Sequence, residues 1–304
     1  MRADFLHNPL PRGECKKQGA QNRSVQLVRE DFSTAATQQS PVAVRVRHKS
    51  VEWNDEGIVL SARPHGETSM IVTLLTSAHG CHAGLVSGGQ SRRHQSSLEA
   101  GNHVAVRWNA RLSDHLGNFS LEVLKANAAP WLNDPEVLAI IASATTTVEA
   151  SLPERQPMPH LFASLMALFS ITDRTLWGPA YIRWEMGVLE ALGYGMDLSC
   201  CALTGAKEGL AFISPRTGRA VTPEAAAPYQ GKLLPLPSFL CGNPRWDESD
   251  ILQGLDLTGH FLSRHVFAHP QNRRLVPIDG TLPLARQRLA AYYTNRMERA
   301  EAVA

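Results

Sequence analysis

Five runs with strand character crowd into residues 53–125. They are Gly57–Ser61, Ser69–Thr76, Gly80–Ser87, His103–Trp108 and Asn118–Val123, separated by turns bearing Gly, Pro and Asn. The fourth alternates with period two, as a half-buried strand does. So many strands in so short a span suit a small closed barrel, because closure removes the exposed edges of an open sheet. An OB-fold has this strand count.

The pattern changes after Pro130. Asp134-Pro135-Glu136 starts a helix well: an Asp cap, Pro in the first turn, then an acid at the positive end of the dipole. A second helix is expected from about His160 to Ile171, with Leu161, Leu165 and Leu168 on one face. A third runs from about Pro179 to Leu192 and stops at Gly193. Residues 197–225 are irregular, with a short hairpin read across Ala211–Gly218. Two last helices are expected, at about Asp247–Val266 and Leu284–Arg296. The fold class is therefore α+β, an N-terminal barrel at 51–129 followed by a helical domain at 130–297 and a tail at 298–304.

Residues 1–50 read as a disordered extension, since their weak apolar periodicity cannot repay the entropy of ordering. Valine can be encoded by GTG, which bacteria can use as a start codon, so a true start near Val51 is the working hypothesis. The sequence leaves open whether residues 1–50 are translated. No apolar run approaches the roughly 18–20 residues of a membrane span, and no secretory signal is visible. Five cysteines, Cys15, Cys81, Cys200, Cys201 and Cys241, are odd in number and irregular in spacing. That argues against a disulfide framework and for a reducing cytoplasm.

The net charge of +2 hides an asymmetry. Residues 1–50 hold nine Lys/Arg against four Asp/Glu, and the remainder is slightly acidic. A second basic block, Arg264, Arg273, Arg274, Arg286, Arg288 and Arg296, faces only Asp279 among acids between Phe261 and Arg296. Such patches suit a phosphate-binding protein, and equally a solvated helix face with a basic tail.

Trp53-x-Asp55-Glu56-Gly57-Ile58-Val59-Leu60, His65-Gly66-Glu67, Thr73 to Thr76 and His79-Gly80 together resemble the opening of the RecO family. So does the later Gly205, Leu210-x-Phe212-Ile213-Ser214-Pro215-x-x-Gly218-Arg219-Ala220-Val221. The resemblance covers residues 51 to about 297. It implies an OB-fold, a helical domain and, in some members, a small zinc module. It further implies a DNA repair and recombination mediator, bacterial, cytoplasmic and nucleoid-associated. Such a protein binds single-stranded DNA and anneals complementary strands. With RecR and the C-terminal tail of single-strand binding protein, it helps RecA load. The resemblance implies no catalysis and no cofactor.

The zinc module is expected in degenerate form. Cys201-Ala202-Leu203-Thr204 has Thr where a second ligand would stand, and a structural site needs four soft ligands. The expected DNA contacts are Arg92, Arg93 and His94 in the Gly-rich loop. Arg107, Trp108 and Arg111 form a second cluster, and Arg63 stands in the turn after the first strand. Glycines let backbone approach a phosphate, arginines bind it, and an indole stacks bases. Against this stand an ordinary solvated loop and a Trp closing the barrel bottom. Two other functions compete. One is a protein–protein adaptor that scarcely touches DNA. The other is a metal-dependent nucleic-acid enzyme built on the histidines, although no H-E-x-x-H, nucleophile elbow or phosphate-loop motif occurs.

Overall fold

The computed structural model describes residues 50–91, 95–268 and 281–303. The sequence-based extension up to residue 49 lies outside the described residues.

β1 (Val51–His65), β2 (Ser69–Thr76), β3 (Gly80–Val86), β4 (His103–Ala110) and β5 (Asn118–Lys125) form a closed barrel in the order β1-β2-β3-β5-β4. This is the five-stranded OB arrangement. β1 is far longer than the run Gly57–Ser61 suggests. Its first half pairs antiparallel with β4, from Val51↔Ala110 to Ile58↔His103, and its second half with β2. A bulge between Val59 and Ser61 bends the strand from one partner to the other. The polar stretch Glu52 to Glu56 is thus a strand because the β4 ladder holds it, overriding weak local propensity. β3 and β5 close the barrel through one parallel pair, Leu85↔Asn118.

Val59, Val72, Leu74, Val104, Val106, Trp108 and Phe119 fill the barrel. Ile58, Leu60 and Leu75 point the other way, into the same cluster as Val137, Ile140 and Leu165 of the helices. The run Ile58-Val59-Leu60 shows no alternation because both of its faces are buried. Barrel and helices therefore share one hydrophobic core across residue 130.

The helices are α1 (Pro135–Ser151), α2 (Pro159–Phe169), α3 (Trp177–Ala191), the single turn α4 (Pro223–Ala226), α5 (Glu248–Phe261) and α6 (Leu284–Val303). Asp134 caps α1 by accepting the Glu136 and Val137 N–H groups, with Pro135 in the first turn. Asp247 and Asp250 form a capping box on α5, which runs on as a π-helical turn over Leu262–Phe267. α6 continues to Val303, past the Arg296 expected from sequence. Among the described residues no helix is long and apolar enough to cross a membrane.

The irregular module is a three-stranded sheet in the order β7-β6-β8, formed by β6 (Phe212–Ile213), β7 (Ala220–Val221) and β8 (Leu234–Pro235). β6 and β7 are the hairpin read across Ala211–Gly218. Cys201 is buried in an apolar cluster with Val221 and Ala226, while Cys200 is half-buried and Cys241 exposed, all as free thiols. Burial opposes ionisation of Cys201. Hydrogen bonds from the Thr204 hydroxyl and the Thr222, Leu203 and Thr204 N–H groups nevertheless draw its thiol down to about 6. Among the described residues no group of three His, Cys, Asp or Glu could hold a metal.

Candidate nucleic-acid interface

The link from β3 to β4 is fixed on both sides of residues 92–94. Gln90 donates its backbone N–H to the Thr68 carbonyl at 3.1 Å. Its side-chain amide donates to the Gly66 and Ser69 carbonyls, each at 3.0 Å. One glutamine thus ties this loop to the β1–β2 turn. Downstream, Leu98 of the 3-10 turn Ser96–Leu98 plugs into the barrel core. The buried Asn102 amide donates to the Ser96 carbonyl at 2.8 Å. Arg92, Arg93 and His94 lie outside the described residues. Gln90 and Asn102 were not singled out by sequence reasoning, since amides that bond backbone carbonyls, in the β1–β2 turn for Gln90 and at Ser96 for Asn102, leave no sequence signature.

The expected second cluster is not a stacking platform. Trp108 is 1% exposed, inside the barrel, with its indole N–H donating to the Leu116 carbonyl at 2.9 Å. It fills the barrel end and cannot receive a base. The reason is the strand period: Val104, Val106 and Trp108 all face inward. Gly117, at φ +66°, makes room for the indole, since a Cβ there would sit 2.3 Å from its nitrogen. Arg107 is exposed and its Nε bonds Glu52 at 2.7 Å, a surface pair of the weak, solvent-screened kind. His103 likewise meets Glu56 at 3.0 Å. Arg111 is exposed at the start of the β4–β5 loop. Arg63 is exposed within β1, paired with Ile71, not in a turn. The bulged strand carries on through Pro64.

Two members of the C-terminal basic block are held in ion pairs. Arg286 is fully buried against Glu185, and Arg296 pairs with Glu136 and Glu248. Arg264 and Arg288 stay exposed, and Arg273 and Arg274 lie outside the described residues.

A different constellation stands at the barrel end that carries the β2–β3 turn. The His79 ring stacks on Trp53 with centroids 4.0 Å apart and planes 8° apart, and Trp53 stacks on Trp108 at 5.5 Å. Asp55 accepts from His79 Nδ1 at 2.8 Å and from the Ala78 N–H at 2.9 Å. The Thr76 hydroxyl accepts the His79 N–H and donates to the Gly80 carbonyl. His82 lies beneath, 4% exposed, edge-on to Trp53 and Trp108, with neither ring nitrogen hydrogen-bonded. Burial first, then the charges of Arg155 and His79, lower its pKa to about 4.

Arg155 follows α1 in a left-handed conformation, φ 61°. Its guanidinium donates to the Ser113, Asp114 and His115 carbonyls at 2.5, 3.1 and 2.9 Å, holding the β4–β5 loop. Its own N–H bonds the Cys81 carbonyl at 2.7 Å. The helical part thereby grips a barrel loop of the kind that OB-folds use for oligonucleotides.

Comparison with known proteins places this architecture. The family described as "Recombination protein O N terminal" matches residues 50–126, and "Recombination protein O C terminal" matches residues 132–274. The chain is 52% identical over 220 residues to the DNA repair protein RecO of Rhodospirillum centenum, covering 72% of this chain and 88% of that protein. It is 44% identical over 246 residues to the DNA repair protein RecO of Rhodospirillum rubrum, covering 78% and 94%. It is 45% identical over 241 residues to the DNA repair protein RecO of a Jannaschia species, covering 79% and 95%.

Proposed function

The chain belongs to the RecO family and has a role in DNA repair, and from that premise we propose that it is a non-enzymatic mediator that binds single-stranded DNA through its barrel. In this reading it anneals complementary strands. With RecR and the tail of single-strand binding protein, it helps RecA onto coated DNA in the cytoplasm, without a cofactor. The observation that carries the DNA contact is the tethering of the β3–β4 loop by Gln90. It brings the chain leading into Arg92, Arg93 and His94 against the β1–β2 turn, on a rigid barrel. Basic groups on such a platform neutralise phosphates and lower the repulsion between two strands, so complements can meet. Arg111 and Arg63 are secondary candidates.

Replacing Arg92 and Arg93 together with Ala in the full chain tests this. Affinity for a labelled single strand should fall, and the slope of log affinity against log salt should flatten by about 1.4 for two lost phosphate contacts. An unchanged affinity and slope would remove the loop from the interface.

The engagement of Arg107 by Glu52 and of the His103 ring by Glu56 favours a second reading, an adaptor acting mainly through protein contacts. Wild-type protein that fails to bind single strands at low salt would favour it.

A further inference from the structure

His79 is held in a way that packing alone does not require. Its ring lies flat on Trp53, which rests on the buried Trp108, so three planar groups stack outward from the barrel interior. The outermost is open, with 34% of the His79 side chain exposed. Asp55, only 6% exposed, fixes the ring through Nδ1 and fixes the turn through Ala78. Nε2, across the ring, has no partner among the described residues. The neighbouring His82 shows the contrast, since the same side chain used as filler is buried edge-on under the indoles.

Arg155 and His79 both lie near enough to His82 to act on its charge. Arg155 gives its hydrogen bonds to three carbonyls, and among the described residues it forms no ion pair. Arg107, Arg174, Arg219, Arg286 and Arg296 are each paired with a carboxylate. At this barrel end the ring is therefore open on one face and pre-oriented, with Nδ1 held by the Asp55 carboxylate.

We propose that the exposed face of His79, backed by Trp53 and Trp108, is a stacking subsite for one unpaired base of a single strand. The assignment rests on the single-strand reading above and extends it from the β3–β4 loop to the β2–β3 turn. Aromatic and imidazole rings bind unpaired bases by stacking, with little regard to sequence. A ring already immobilised by Asp55 and Trp53 loses little freedom on binding.

The test compares two probes of equal length with the full chain, an oligothymidylate and the same deoxyribose-phosphate strand without bases. Wild type should prefer the thymidylate. His79→Ala should lose about tenfold on the thymidylate, the usual effect of removing one stacking ring, and change little on the abasic strand. His79→Phe, which keeps a ring, should retain the preference. His79→Gln, which keeps a donor toward Asp55 without a ring, should lose it, and it serves if the alanine variant folds poorly. Variants that bind the two probes as wild type does, or that lose equally on both, overturn the subsite while leaving single-strand binding intact. Wild type that binds neither probe overturns the single-strand reading itself, and the subsite with it.

Discussion

Replacing Arg286 with Ala is expected to lower the unfolding free energy of the full chain by about 3–5 kcal/mol, read from the denaturant midpoint. Arg286 Nε and Nη2 bond the two Glu185 oxygens at 2.6 and 3.0 Å, and Nη2 also donates to the Leu255 carbonyl at 2.7 Å. The Tyr181 and Thr258 hydroxyls donate to the same carboxylate at 2.6 and 2.5 Å, and Tyr181 reaches Ser143 of α1 at 2.7 Å. One polar network thus joins α1, α3, α5 and α6 where neither charged side chain is more than 1% exposed. Removing the guanidinium strands a carboxylate away from water. The pair as a whole is a different matter, because an apolar pair of similar volume avoids desolvating both ions. Glu185→Leu with Arg286→Met should therefore recover most of the loss. A single-variant loss below about 1 kcal/mol would show that Glu185 finds another route to solvation.

Acidification from pH 6.5 to 4 is expected to cost the protein up to about 3 kcal/mol through His82 alone, at 1.36 kcal/mol per pH unit. The folded pKa is depressed to about 4 from an ordinary 6.5. Above 6.5 the ring is neutral in both states and the contribution is whole. As pH falls through the window the unfolded chain takes a proton that the buried ring does not, and stability drains until about 4. Asp134, Asp173 and Asp197 are held below the ordinary carboxylate range, Asp134 against the opposing effect of its burial, by hydrogen bonds. Their contribution is lost at lower pH, outside this window. His82→Leu should flatten the slope of unfolding free energy between pH 6 and 4.5 by about 1 kcal/mol per unit. An unchanged slope would mean that the ring finds a proton-accepting partner or water in the folded state.

Much of the architecture is visible in the residues. The five-strand count, the Asp134-Pro135 helix start and the hairpin around Ser214–Gly218 all rest on local chemistry, and all are present. The family resemblance was carried by motifs spread over both halves of the chain. What sequence reading misplaced depends on non-local partners. Glu52 to Glu56 lie before the first strand read from sequence, at Gly57–Ser61, and become strand because β4 pairs with them. Arg107 and Trp108 are adjacent in sequence, yet a strand sends neighbours to opposite faces, which separates the charge from the indole. Arg286 and Arg288 look alike in sequence, but only Arg286 meets Glu185, 101 residues away. Trp53 and His79 stand in the family motifs, but their stacking was not legible, because one comes from β1 and the other from the β2–β3 turn. Cys201 keeps a hydrogen-bonded turn with Thr204 standing where a second cysteine would, and it packs against Val221 and Ala226.

The central claim is that the barrel carries the single strand. Hydrogen exchange of the full chain, with and without a saturating oligothymidylate, tests it most directly. The expected result is slowed exchange in the β1–β2 turn at 66–68, in the β3–β4 loop at 87–102 and in the β2–β3 turn at 77–79. Protection confined to residues 135–303, or none at a concentration where the strand is bound, would contradict it.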